Sequence, residues 1–153
     1  MADTGTEDFA HRRVAISSAY YALFHALSYR AATALIGEAD ATRTERAWLQ
    51  TYRSFAHTTV KAACVRATNQ KAALGFPAEL SEFIGYFPTA QELRHRADYD
   101  PSYDPERLVA LSHVETVGRA ITGLEQAGFR HVRAFAAYVL FEQGRKNVER
   151  DRT

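Results

Sequence analysis

Cysteine, proline and glycine are scarce in this sequence. Cys64 is the single cysteine among 153 residues, which excludes an intrachain disulfide and a cysteine-rich zinc site. No apolar run approaches the length that crosses a membrane. The first eight residues are polar and acidic, whereas a secretory leader begins with basic and then apolar residues. We therefore expect a cytoplasmic protein without membrane attachment.

Strand signals are also missing, because no run of alternating β-branched residues occurs. Hydrophobic residues make up 46% of the chain, which suffices for one sizeable core. The four prolines and eight glycines lie between segments with helical periodicity. The sequence predicts an all-α fold, an up-and-down bundle of four to five helices over residues 1–143, with a charged flexible tail over residues 144–153.

Apolar residues at helical spacing predict where these helices lie. The first helix carries the main apolar stripe, which comprises Ile16, Tyr20, Leu23, Phe24, Leu27 and Leu35. The expected spans are about 7–36, 45–67, 77–97 with a break or kink at Pro88, 105–128, and a fifth helix that ends at Gly144.

Capping residues sharpen some of these boundaries. Thr6 and Thr44 are the expected N-caps of the first two helices, and Gly37 is the expected stop of the first. Asp104 followed by Pro105 predicts the N-cap and first position of the fourth helix.

Charge is spread unevenly, although the net charge is only +1. Residues 41–71 carry six basic side chains and one acidic side chain. Such a basic face attracts phosphate or an acidic partner, and a solvated helix surface is the alternative. Arg46, Arg53, His57 and Lys61 project from one side of the second helix, with Arg53 and His57 as neighbours four residues apart.

The sequence gives little evidence for a metal site or a phosphate-binding loop. Asp98, Asp100, Ser102 and Asp104 have the spacing of a calcium loop, but Tyr103 stands where that loop needs glycine. The six histidines show no paired metal spacing. Neither a glycine-rich phosphate loop nor a nucleophile elbow is present. The sequence therefore predicts no cofactor.

The segment Arg94-His95-Arg96-Ala97-Asp98-Tyr99 is the densest cluster of chemically active groups. Guanidinium groups bind phosphate, and imidazole transfers protons near neutral pH. Metal-free RNA cleavage needs a base for the 2′-hydroxyl, an acid for the leaving oxygen and a cation for the developing charge. The structural alternative is that Asp98 pairs with Arg94 or Arg96 and that the cations complement the end of a helix.

Three segments resemble bacterial HEPN-domain proteins. These are Arg13-Val14-Ala15-Ile16-Ser17-Ser18-Ala19-Tyr20-Tyr21-Ala22-Leu23-Phe24-His25-Ala26 in the first helix, Tyr52-Arg53-Ser54-Phe55-Ala56-His57 followed by Cys64, and Leu93-Arg94-x-Arg96-Ala97-Asp98-Tyr99. The resemblance covers the first four predicted helices.

The resemblance implies a helical bundle that forms a homodimer or joins a nucleotidyltransferase, often in toxin–antitoxin or other defence systems. Active HEPN proteins are metal-independent ribonucleases with an arginine and a histidine separated by four to six residues. Arg94 matches that arginine, but Asp98 stands in the place of the histidine. Arg107 and His113 meet the raw spacing, yet they lie well apart around a predicted helix.

The resemblance and the residue chemistry together give the candidate site. The candidate catalytic residues are Arg94, His95, Asp98, Tyr99 and His57, and the candidate phosphate or RNA ligands are Arg53, Arg96, Arg46 and Lys61.

Three functions stay open. The first is RNA binding or metal-independent RNA cleavage. The second is a non-catalytic dimeric module that partners a nucleotidyltransferase or a defence effector. The third is the nucleotide binding that the family name implies.

Overall fold

The computed structural model describes residues 4–70 and 74–152. It confirms the all-α bundle, and no strand occurs in these two ranges. The helices are α1 (Thr4–Ile36), α2 (Glu45–Tyr52), α3 (His57–Asn69), α4 (Ala78–Tyr99), α5 (Arg107–Gln126), α6 (Phe129–Leu140) and α7 (Glu142–Asp151). None of them is both long and apolar enough to span a membrane.

The long helix α1 forms the centre of the bundle. It packs against α2, α4, α5 and α6. Ile16, Tyr20, Leu23 and Leu27 of its predicted stripe have no exposed surface, and Phe24 is also buried. The helix ends where predicted, at Gly37, which has a positive φ of 124° that glycine adopts without steric cost.

The expected break at Pro88 is wrong, because α4 continues through this residue to Tyr99. A proline leaves the carbonyl four residues earlier without its helical donor. Here Phe83, Ile84, Phe87 and Ala90 are all buried, so core packing on both sides of Pro88 offsets the lost hydrogen bond. One continuous helix therefore carries the segment that contains Arg94.

The predicted second helix is divided into α2 and α3. The chain leaves helical geometry between Arg53 and Ala56, and Phe55 in this turn is buried. Burying Phe55 at the turn changes the direction of the chain, so His57 begins a new helix. Thr44 does occupy the N-cap position of α2, although its side chain makes no capping bond.

Two other expected N-caps are wrong. Thr6 already lies inside α1, and α5 is capped by Glu106 instead of Asp104. The Asp104 carboxylate accepts a 3.0 Å bond from Arg12. Arg13 donates bonds of 2.7 Å to the carbonyls of Asp100 and Tyr103. These two arginines of α1 hold the loop after α4. Asp104 therefore binds Arg12 and does not cap α5.

The segment expected as a flexible tail is helical from Glu142 to Asp151. Glu149 in this helix forms a 2.8 Å salt bridge with Arg66 of α3. Helix α7 also packs against α6. Helix α7 is therefore in contact with the bundle.

The contact between α4 and α5 predicts that alanine substitutions at two glycines of α5 change stability in opposite directions. A methyl group at Gly123 would collide with the backbone carbonyl of Glu79 in α4, whereas nothing lies within 4 Å of one at Gly118. We expect Gly123→Ala to lower the free energy of unfolding by about 1–3 kcal/mol through overpacking.

Gly118→Ala is the matched control, because it changes the same residue type in the same helix. We expect it to raise the free energy of unfolding by about 0.5–1 kcal/mol through helix propensity. Urea denaturation of both variants measures the difference. Equal effects of the two substitutions would contradict the close approach at Gly123.

Candidate functional site

Three helices bring one aromatic and two basic side chains together. The hydroxyl of Tyr20 in α1 lies 2.6 Å from Nδ1 of His57 in α3. The guanidinium of Arg94 in α4 lies over the rings of Tyr20 and Tyr21, at 5.1 and 5.7 Å from their centroids. We call Tyr20, His57 and Arg94 the YHR cluster.

Burial controls protonation in the YHR cluster. It raises the pKa of Tyr20 to about 12, although the neighbouring Arg94 charge acts in the opposite direction. The pKa of His57 lies below its usual value, first because of burial and then because of the positive charges of Arg94 and His25. At neutral pH the cluster therefore holds a neutral phenol and a neutral imidazole beside a cation.

The ring of His57 is fixed on several sides. It stacks on Phe24 with centroids 4.0 Å apart, and the edge of Tyr21 lies 6.1 Å away. Because Nδ1 is occupied by Tyr20, Nε2 is the ring nitrogen left for a bound molecule. His57 is half-buried, so this imidazole is both held in position and reachable.

Arg94 is largely buried, and one of its donors lacks a partner among the described residues. Its side chain is 11% exposed, and Nη1 lies 3.7 Å from Oδ2 of Asp98, one helical turn away. That separation exceeds the length of a strong charge-assisted hydrogen bond. Within the described residues, the buried Nε has no hydrogen-bond acceptor. Asp98 therefore balances the charge of Arg94 without saturating its donors.

A second tyrosine–histidine pair, which was not predicted from the sequence, lies next to the YHR cluster. Nδ1 of His25 lies 2.7 Å from the hydroxyl of Tyr52, and the two rings are stacked with centroids 6.0 Å apart. His25 is exposed, and its ring packs edge-on against Phe24 at 6.0 Å, the same ring on which His57 stacks. The signal was present in the spacing of Tyr21 and His25, which lie four residues apart on one helix face.

His95, Arg96 and Tyr99 do not join the YHR cluster. Consecutive residues of a helix point about 100° apart, so His95 and Arg96 leave the direction of Arg94. The ring of His95 lies 4.9 Å from that of Tyr99, and Tyr99 is 66% exposed. Arg96 lies over the ring of Tyr103 at 4.1 Å.

The predicted basic face is only partly available for a ligand. Arg46, Arg53 and Lys61 are exposed. Two further cations of the same stretch are already paired, since Arg43 binds Glu45 at 2.7 Å and Arg66 binds Glu149. Lys71 lies outside the described residues.

His113 is a structural residue of the core. Its Nε2 lies 3.0 Å from the carbonyl oxygen of Ile16, and its Nδ1 lies 2.8 Å from the hydroxyl of Tyr86. The carbonyl can only accept, so Nε2 carries the proton and Nδ1 accepts from Tyr86. His113 is 1% exposed whereas Arg107 is exposed, so the two do not form the arginine–histidine pair that their spacing allowed.

Among the residues that the structure describes, no three His, Cys, Asp or Glu side chains are placed to hold a metal ion. Cys64 is buried, which raises the pKa of its thiol and makes it a poor nucleophile.

No protein-family model, curated protein or solved structure matches this chain. The HEPN resemblance therefore stays a prediction from its motifs.

The YHR cluster predicts how the pKa of His57 responds to its neighbour. We expect NMR titration to place this pKa below 6.5. Arg94→Gln removes a nearby positive charge and should raise the pKa. In this variant the pKa of His57 should still lie below 6.5, because burial lowers it more than the charge of Arg94 does.

Arg96→Gln is the matched control, since Arg96 lies over Tyr103 instead. It should leave the titration of His57 unchanged, and Arg94→Lys should keep the pKa low. An equal shift in the two glutamine variants would argue against the described geometry.

The buried histidines also predict a pH dependence of stability. The pKa values of His57 and His113 are both lowered in the fold, with burial as the first cause. As the pH falls, the unfolded chain therefore binds protons before the folded chain does. The contribution of these histidines to stability is complete above about pH 6.5 and is lost as the pH falls toward their pKa values in the folded protein.

His113→Gln should make this loss shallower between pH 7.5 and pH 5, because one of the two groups is gone. It should also lower stability at pH 7.5 by about 1–3 kcal/mol, since the Tyr86 and Ile16 contacts are disturbed. Urea denaturation across this range measures both effects. The exposed His11 offers a control, His11→Gln, and a slope that this control changes as much would refute the assignment.

Proposed function

We propose that this chain is a HEPN-like protein that binds RNA phosphate and cleaves RNA without a metal ion at the YHR cluster. The observation that carries the proposal is a neutral imidazole, fixed by Tyr20, beside a guanidinium with an unsatisfied donor. A homodimer acting in a toxin–antitoxin or defence setting is the expectation that accompanies the HEPN resemblance.

The proposed reaction is a transfer within the RNA strand. In the tautomer whose Nδ1–H donates to the Tyr20 oxygen, Nε2 of His57 takes the proton of a 2′-hydroxyl, and the 2′-oxygen attacks the adjacent phosphorus. The bond from phosphorus to the 5′-oxygen breaks, and that oxygen takes a proton from Nε2 of His25, which enters the step as the imidazolium. The products are a 2′,3′-cyclic phosphate and a 5′-hydroxyl end, so atoms and charges balance. Arg94 stabilises the negative charge that builds on the phosphate.

The two histidines suit different halves of this step. His57 is half-buried and its lowered pKa keeps it neutral at neutral pH, as a general base requires. His25 is exposed and its Nδ1 is occupied by Tyr52, which leaves Nε2 for the leaving oxygen. Their proximity supports the assignment, because the charge of His25 contributes to the lowered pKa of His57.

Cleavage of a labelled single-stranded RNA in the presence of EDTA tests this function. We expect a cyclic phosphate product, with His57→Gln and Arg94→Gln reducing the rate by at least about a hundredfold. His25→Gln should also reduce it, because the leaving oxygen then lacks its acid. Circular dichroism verifies that each variant is folded.

His95→Gln provides the matched control, because His95 is adjacent to Arg94 in sequence but packs on Tyr99 instead. It should retain the rate of the unmodified protein. Absence of cleavage between pH 5 and pH 9 would refute the enzymatic proposal, and an equal loss in His95→Gln would refute this choice of residues.

A second candidate is a non-catalytic module that contacts a protein partner, such as a nucleotidyltransferase or a defence effector. Exposed apolar side chains of α1 and α2 favour it, since Val14 is 62% exposed, Tyr29 55% and Leu49 42%. Under this function a partner protein co-purifies, Tyr29→Ser weakens that complex, and Arg94→Gln leaves it intact. RNA cleavage by the purified chain alone would contradict it.

A further inference from the structure

A large groove lies away from the YHR cluster. It has a volume of about 850 Å³ and lies where the end of α3 meets α6 and α7. Its walls are mainly apolar and include Leu74, Phe76, Tyr138, Phe141 and Val148. Phe141 and Val148 are each 62% exposed, although large apolar side chains are usually covered. We call this the C-terminal groove.

A buried cation lines the C-terminal groove. The side chain of Arg145 is only 7% exposed, and its nearest carboxylate is Glu142, at 3.9 Å from Nη2. Its guanidinium lies over the ring of Tyr138 at 5.0 Å. Within the described residues, Nε and Nη1 of Arg145 and the hydroxyl of Tyr138 have no hydrogen-bond partner.

Such unpaired donors are costly in a folded protein. A buried charged group that lacks hydrogen bonds loses its hydration without compensation, and native structures rarely leave such groups unpaired. Three donors at one place in an apolar groove therefore point to a missing acceptor. A molecule with an apolar body and one acceptor-rich end would satisfy both the walls and the donors.

The neighbouring carboxylates limit the charge of that end. Glu142 is already bound by Lys146 at 2.8 Å. Glu149 binds Arg66 through one oxygen, while its other oxygen, Oε1, is buried and has no partner among the described residues. An unpaired carboxylate oxygen at the groove repels negative charge, so a dianionic end such as a phosphate monoester fits poorly. A single negative charge can pair with Arg145 and remain apart from Glu149.

We propose that the C-terminal groove binds an amphiphilic carboxylate, with the carboxylate on Arg145 and Tyr138 and an unbranched apolar chain along Phe76, Phe141 and Val148. The site goes beyond the proposed RNA function, because the groove lining includes neither the residues of the YHR cluster nor His25. The carboxylate supplies the acceptors that Arg145 lacks, and the chain covers the two exposed apolar side chains.

Isothermal titration with decanoate, kept below its micelle concentration, tests the proposal on the full chain. We expect saturable binding of one decanoate and at least about tenfold weaker binding of decanol and of decylammonium. Arg145→Met keeps the apolar part of the side chain and removes the charge. It should weaken decanoate binding at least about tenfold, since hydrogen bonds to a charged group are lost.

Lys146→Met is the matched control, because Lys146 is the next residue of α7, lies 53% exposed and does not line the groove. It should bind decanoate as the unmodified chain does. If Arg145→Met fails to fold, as judged by circular dichroism, Val148→Asp decides instead, because an exposed residue tolerates the change and the new charge repels the ligand.

Three results would overturn the proposal. The first is that decanoate does not bind. The second is that decanol binds as tightly as decanoate, which would indicate a purely apolar contact. The third is that Lys146→Met and Arg145→Met weaken binding equally, which would indicate a general charge effect of α7.

Discussion

The hydroxyl of Tyr20 is the constraint on which the candidate site depends. The ring lies at the centre of the bundle with no exposed surface, so its hydroxyl has to find a partner inside the protein. That partner is His57, and the face of the ring receives Arg94. One buried polar atom thus ties α1 to α3, and the same ring ties α1 to α4.

Helix α1 also organises the loops at both ends of the bundle. Near its start, Arg12 and Arg13 bind the loop between α4 and α5 through four hydrogen bonds. Near its end, Arg30 donates to the carbonyls of Leu124, Glu125 and Ala127 and lies over the ring of Phe129 at 4.1 Å. These arginines of α1 therefore donate mainly to backbone carbonyls that accept no hydrogen bond within a helix. Their contacts fix where α4 ends and where α6 begins.

Among the described residues, Arg94 and Arg145 each have at least one buried donor without a partner, and the two differ in their surroundings. Around Arg94 the neighbours are tyrosine and histidine, groups that hold and transfer protons. Around Arg145 the neighbours are apolar, and the nearby carboxylates are already bound to Arg66 and Lys146. The first environment suits a reacting phosphate, whereas the second suits a molecule that is held without reaction.

Much of the fold follows from the sequence, because helical periodicity is a local property. The stripe of α1 and the all-α class were predicted from spacing, and its stop at Gly37 from the preference of glycine for helix ends. Pro88 and the turn around Phe55 were not, since propensity assigns a cost to proline but does not include the burial that offsets it. The predicted N-cap at Asp104 was wrong for a similar reason, because Arg12, 92 residues away in the sequence, binds that carboxylate.

By itself, the sequence determined which residue types are present for chemistry, and it placed Arg94 and His57 in helical segments. Only the tertiary structure decided which of them meet. Arg94 and Asp98 are one turn apart in one helix and pair as any such residues do. Tyr20 and His57 lie 37 residues apart, and His95 lies beside Arg94 in sequence but points elsewhere. Contacts of this kind depend on how whole helices pack, which no local pattern encodes.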